Sequence, residues 1–301
     1  MRSSQATRSF IVFWGYDVRP LKSTATLPLG VDIGAEFVSI VASDAAGDGF
    51  VVRETRTLEV PGADGSTLDL KIAETLRSLL GGFATKERRC VLAAPPGEVV
   101  TRTFRLPPKM RRSEADRAAA LEADTIVDWP MSERLVALDP IPGKTDEMIL
   151  SIARTSTIER LVAIARAAGL KPVAVDVPAC AWRRAVPHAD AVLDCRSDRA
   201  ALVIFGEPVG ITHLFPPRLI DDRLASNVRA ALVDARRDGV ADVQRLAILS
   251  SPFRYESMEE LLRPDGYAIG PVKLGGVECP PWTFAYGLAS WSIAPRGLAA
   301  V

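Results

Sequence analysis

Apolar positions recur every second residue through the first regular part of the chain. That period predicts strands at 27–34, 37–43 and 50–60, with the Ala-Ala-Gly-Asp-Gly turn at 45–49 between the last two. The period then changes to 3.6. Over 67–80 it puts Ile72, Leu76, Leu79 and Leu80 on one helical face, and Gly81 and Gly82 stop the helix. A strand is predicted at 89–94, then a Pro- and Arg-rich stretch with strands at 99–106, 135–140 and 148–153 around a helix at 113–126. A helix at 156–168 carries a capping-box pattern, Ser156 with Glu159, a core face of Ile158, Leu161, Val162 and Ala165, and Gly169 as its stop. After a strand at 172–177 and a short helix around Trp182, the three-strand pattern restarts at 191–195, 200–205 and 209–215. A helix at 222–237, a strand at 245–249, a helix at 257–262 and a terminal helix at 282–293 complete the series.

The order of three strands, a helix and a further strand resembles the ribonuclease-H-like unit on which actin, the Hsp70 chaperones and the sugar kinases are built twice over. That resemblance implies an α/β, two-lobed actin-like ATPase fold. The first lobe is expected at 27–190, with an inserted α/β subdomain at about 98–155, and a second, reduced lobe with the C-terminal helix at 191–301. Residues 1–26, with the apolar run from Phe10 to Val18, read as an extension outside the fold, either a surface-docking arm or the product of an upstream translation start.

Composition narrows the function. The chain has 301 residues, 48% hydrophobic, with 37 basic and 37 acidic side chains. Zero net charge lacks the electrostatic footprint of a nucleic-acid-binding protein, so no nucleic acid partner is expected. Cys90, Cys180, Cys195 and Cys279 are scattered without a Cys-x-x-Cys pair and read as core thiols of a reducing cytoplasm. His188 and His213 stand apart from any carboxylate or thiol run and read as structural, and the cluster Lys109, Arg111 and Arg112 reads as a solvated turn. No run approaches the roughly 20 apolar residues a spanning helix requires.

In the actin-like fold the nucleotide lies between the lobes, and two meander turns with Asp-x-Gly sequences clamp its phosphates. The glycine lets backbone amides approach phosphate oxygens, and the aspartate orients magnesium through water. The first turn is present as Asp32-Ile33-Gly34; the second reads Asp194-Cys195-Arg196, with a side chain at the position of closest approach. The strand that ends in Gly-Gly against adenosine in this fold reads Ala-Ile-Leu-Ser-Ser, so Ser250 and Ser251 take that place. Only about fifty residues separate the second turn from that strand, too few for an adenine-covering subdomain. The expected nucleotide set is Asp32, Gly34, Asp194, Arg196, Ser250 and Ser251, with Asp32 and Asp194 holding magnesium through water; ATP and magnesium binding are expected to be weak or lost. No catalytic residue is assigned. Asp176, at the end of the strand at 172–177, is the one candidate for orienting an attacking water, with a helix-capping role as its alternative.

Three segments carry a closer resemblance: residues 29–41 (LGVDIGAEFVSIV), 99–130 with its Leu-Pro turn and acidic-spaced helix, and 150–185 with Ala-Gly-Leu-Lys-Pro and a strand ending in Val-Asp. Together they resemble the type IV pilus assembly protein PilM family, related to the cell-division protein FtsA, and the likeness thins after residue 185. It implies a cytoplasmic protein, peripheral to the inner membrane, that binds the N-terminal segment of the inner-membrane protein PilN within a pilus platform. A groove wall for that segment is expected at Thr101, Phe104, Leu106, Ala119 and Ala123. With the second turn altered, a non-hydrolysing adaptor is favoured, and the alternative is an active ATPase or small-molecule kinase of the same superfamily.

Overall fold

Residues 26–291 are described by the computed structural model, apart from 47–48, 63–64, 66, 108–109, 141–145, 197–199, 207–209, 217–218 and 275. The expectations for residues 1–25, for Lys109 and for the helix end beyond Trp291 lie outside the described residues.

Leu-Gly-Val-Asp-Ile is small or apolar at every position but Asp32, as a strand covered on both faces must be. It forms β1 (Leu29–Ile33), in the middle of a five-stranded sheet. β2 (Phe37–Ala46) pairs with it antiparallel and β3 (Gly49–Glu59) pairs outside β2. Thr26, assigned by sequence to the extension, bridges to Asp44, and Leu27 is fully buried. α1 (Leu68–Gly81) crosses over, burying the expected Ile72, Leu76, Leu79 and Leu80, and β4 (Arg89–Ala93) returns parallel to β1. The chain then leaves the sheet. β5 (Val99–Arg105), α2 (Arg112–Ile126), β6 (Arg134–Pro140) and β7 (Glu147–Arg154) build a separate antiparallel sheet in the order β5-β7-β6, with α2 packed on one face. α3 (Thr155–Ala167) and β8 (Lys171–Asp176), parallel to β4, close the first unit in the order β3-β2-β1-β4-β8.

After α4 (Pro178–Ala185) the plan repeats. β9 (Ala191–Asp194), β10 (Ala200–Ile204) and β11 (Ile211–Phe215) form the second meander. α5 (Asp221–Arg237), β12 (Arg245–Leu249), α6 (Pro252–Leu262) and β13 (Ala268–Pro271) follow, then the short hairpin of β14 (Lys273–Leu274) and β15 (Val277–Glu278), and α7 (Thr283–Ala289). The second sheet runs β11-β10-β9-β12-β13, the order of the first sheet strand for strand. The duplicated unit expected from the pattern is therefore present in the topology.

Several local expectations differ from what forms. Ser156 does not cap α3: the N-cap is Arg154, with no side-chain cap hydrogen bond, and Ser156 sits inside the first turn. Gly169 does end the helix, at φ 88°, with the Leu170 amide donating to the Ala165 carbonyl. β13 was not anticipated because Ala-Ile-Gly-Pro reads as a turn. It survives as a parallel edge strand, where Pro271 needs no outward amide. α7 was grouped with the second lobe, yet it packs on β1, β2 and α4.

That last contact explains how the halves join. Val192, Val203, Leu249 and Val272 of the second half share one core with Leu29 and Val31 of β1, Trp182 of α4 and Phe284 and Leu288 of α7. The Trp182 and Phe284 rings stand 5.0 Å apart at their centroids, both fully buried. Each such side chain contributes about 1.5 to 3 kcal/mol by leaving water. Ala191, Leu193, Leu202 and Ile204 point the other way, into a second core beneath α5 and α6.

Candidate functional site

Strand alternation decides what faces the space between the sheets. On β9, Ala191 and Leu193 pack outward, so Val192 and Asp194 face inward; on β1 the matching positions are Gly30 and Asp32. Asp32 and Asp194 are thereby brought together from opposite halves, 4% and 0% exposed.

Arg196 stands between them. Its Nε and Nη2 donate to Oδ1 and Oδ2 of Asp194, each at 2.9 Å, a side-on bidentate pair. Its Nη1 and Nη2 both approach Oδ2 of Asp32 at 3.3 Å, and Nη1 also donates to the Pro281 carbonyl at 3.2 Å. The side chain is 13% exposed. The turn that carries it is held from behind by Arg254 of α6, which donates to the Cys195 carbonyl, to Asp221 and to the Leu219 carbonyl at 3.0 to 3.1 Å. Burial pushes the neighbouring Cys195 thiol up to about 12, so it stays a neutral packing group.

The other expected nucleotide residues are placed less openly. The Gly34 amide donates to the Phe37 carbonyl at 2.9 Å and is used by the hairpin itself. Ser250 is buried, with its hydroxyl turned to the Ser251 carbonyl, and Ser251 is the N-cap of α6, followed by Pro252 at the first helical position. The structure thus brings Asp32, Asp194 and Arg196 into direct contact, with Gly34 and Ser250 at the ends of β1 and β12. A magnesium ion held through water by the two aspartates needs the space the Arg196 guanidinium takes. In this arrangement the residues do not fit a metal-bound phosphate.

Asp176 is fully buried and committed elsewhere. It pairs with Arg184 of α4, and its Oδ1 accepts from the Val177 amide at 2.8 Å; Arg184 Nε continues to the Gly287 carbonyl of α7 at 2.9 Å. Burial pushes its carboxyl up while Arg184 opposes the shift. The capping alternative is corrected: the N-cap of α4 is Val177, and Asp176 bonds only the amide next to it rather than one inside the first turn. What it does is tie β8 through α4 to α7.

The expected groove wall is also corrected. Ala119 and Ala123 are fully buried in the core between α2 and the β5-β7-β6 sheet, together with Leu138, Leu150 and Ile152. Small side chains there let helix and sheet approach closely, which leaves no space for a ligand. Thr101 and Phe104 differ in parity along β5 and so face opposite sides of the sheet. Phe104 and Leu106 are half-buried against the α2 core. Sequence reasoning missed Arg184 and Arg254. Both sit in ordinary helical patterns, and only the fold turns them inward.

A family model for the type IV pilus assembly protein PilM matches residues 30–209. Among solved structures, the PilM-PilN type IV pilus biogenesis complex superposes with a TM-score of 0.67 at 17% identity, covering 89% of this chain and 99% of that one. The ethanolamine utilization protein EutJ from Carboxydothermus hydrogenoformans superposes with a TM-score of 0.54 at 12% identity, covering 91% and 92%. No curated protein matches the chain in sequence. At these identities the structural likenesses establish the actin-like fold alone.

Proposed function

Because this chain belongs to the type IV pilus assembly protein PilM family, we propose that it is a cytoplasmic adaptor of a type IV pilus platform, one that holds a PilN-like inner-membrane protein by its N-terminal cytoplasmic segment. The observation that carries this reading is the match over 30–209, which spans the first half with its inserted subdomain and stops soon after the altered second turn. No described helix is long and apolar enough to cross a membrane. On this reading the chain meets the inner membrane through its partner. The first lobe at 27–190 does the binding, the reduced second lobe supports it, and the ATP site is degenerate because Arg196 takes the place of the second glycine.

β5 offers the docking edge. Among the described residues it pairs with β7 on one side only, and an extended peptide gains affinity from backbone hydrogen bonds along such an edge and specificity from alternate side chains. Phe104 and Leu106 border it on the α2 face, and Thr101 and Thr103 on the other.

Successive residues of a strand point their amides to opposite sides, so of Thr101→Pro and Arg102→Pro one breaks pairing with β7 and the other removes an outward donor. Fluorescence polarisation with a labelled N-terminal peptide of a PilN-like inner-membrane protein decides the matter. The proline variant that keeps its melting temperature is expected to lose affinity by about tenfold, or ~1.4 kcal/mol. Parental binding in both variants removes β5 from the interface, and no binding by the unaltered chain removes the adaptor reading. Magnesium-dependent hydrolysis of ATP that disappears in Asp32→Ala would instead favour the active ATPase or kinase.

A further inference from the structure

The geometry points to Arg196 as an internal cation that stands in for a metal-bound phosphate between the two halves and holds them closed with no ligand. The inference rests on the proposed degeneracy of the nucleotide site and adds what replaced it. Closure by a ligand needs one charged body that touches both sides of the cleft. A guanidinium can do so because its five N–H donors lie in one plane and serve two edges at once. Here one edge takes Asp194 of β9 and the other faces Asp32 of β1. The bond from Nη1 to the Pro281 carbonyl adds the segment that leads into α7. One side chain therefore touches the first half, the second half and the segment that leads into α7.

Two further observations support a built arrangement. Arg196 stands at the position equivalent to Gly34, where its backbone follows directly from the Asp194 strand end, and Arg254 grips the same turn through the Cys195 carbonyl. Arg196 is also poorly set up as a receptor for an incoming phosphate. Its Nε, Nη1 and Nη2 are already directed at two carboxylates and a carbonyl, and an anion placed among them would sit against Asp32 and Asp194.

Removing the guanidinium takes its charge from between the buried Asp32 and Asp194 carboxylates, oxygen donors of the kind that suit a hard divalent cation with its remaining waters. Arg196→Gly restores the second Asp-x-Gly turn and is expected to convert the clamp into a cation site.

The test compares the full chain with Arg196→Gly and Arg196→Met, using Mn2+ alone and magnesium with a non-hydrolysable ATP analogue. Bound Mn2+ is read by electron paramagnetic resonance, stability by melting temperature and closure by the radius of gyration in solution scattering. The unaltered chain is expected to take up no Mn2+ and to show no shift with either probe. Arg196→Gly is expected to melt lower, to expand, to bind about one Mn2+ per chain, and to regain roughly 3 °C or more when the cation is added. Arg196→Met keeps much of the side-chain length but has neither the charge nor a donor for either carboxylate, so it is expected to fold, melt lower and expand. It decides the question if the glycine variant does not fold. The clamp is overturned if Arg196→Met melts and scatters like the unaltered chain, or if a folded Arg196→Gly neither expands nor binds Mn2+. Stabilisation of the unaltered chain by the magnesium analogue would overturn the degenerate site itself, a result separable from loss of the clamp alone.

Discussion

A Cβ placed on Gly30 would stand 1.9 Å from the carbonyl oxygen of Ala285. β1 and α7 touch backbone to backbone at this point, two residues before Asp32 and a few residues beyond Pro281, whose carbonyl accepts from Arg196. The absence of a side chain at Gly30 is what lets α7 close over β1. Gly287 repeats the device on the other side of α7, where a Cβ would lie 2.0 Å from the Ala181 carbonyl of α4.

Gly30→Ala is therefore expected to push α7 off the sheet and to loosen Phe284 from Trp182. Overpacking against backbone has no flexible group to give way, so the loss is expected at about 3 kcal/mol. Urea unfolding checks it through a lower midpoint with the slope retained. A change within about 0.5 kcal/mol would mean that α7 is not seated on β1.

Asp176 and Arg184 are expected to act as a structural pair. Asp176→Leu leaves Arg184 buried at 13% exposure without its carboxylate, and breaking a buried pair from one side costs about 3 to 5 kcal/mol. The double change Asp176→Leu with Arg184→Met removes both charges and is expected to recover most of that loss. Thermal melting of the two variants distinguishes this from a role in chemistry, for which Asp176 substitution would leave stability intact and the double change would rescue nothing.

Acid is expected to weaken the fold first through His213. Burial lowers its pKa, with Asp234 opposing, so in the folded chain it stays neutral to lower pH than in the unfolded chain. The unfolded state then binds more protons, and stability falls as pH drops through the ordinary histidine value of about 6.5. Carboxylates add their loss further down: Asp69, held below the usual range by the hydrogen bond from Arg160, gives up its contribution only as pH falls below about 4. Urea midpoints measured between neutral and mildly acidic pH should decline in the parent and stay flatter in His213→Gln. An identical decline in both assigns the sensitivity to another group.

Much of the architecture was legible because strand and helix periods are local. The spacing of Ile72, Leu76, Leu79 and Leu80 is enough to orient α1, and the run around Asp32 is enough to mark a central strand. β13 escaped notice since a four-residue edge strand with Gly and Pro carries no period. Ala119 and Ala123 were assigned the wrong surroundings for a related reason: a periodic alanine face shows that something approaches closely, and here it is the chain's own sheet rather than a ligand.

By itself the sequence determined the duplicated strand order, the inserted unit between β4 and α3, the aspartates at the two turns and the arginine that replaces a glycine in the second. These depend on backbone geometry and on residue identity at short range. Only the tertiary structure decided where that arginine points. Arg196 and Asp32 are 164 residues apart, and they meet because two sheets close on α4 and α7 and turn both strand ends into one space. The same closure carries α7 back to β1. No local pattern encodes such contacts, because each requires the packed halves to exist before the side chains can touch.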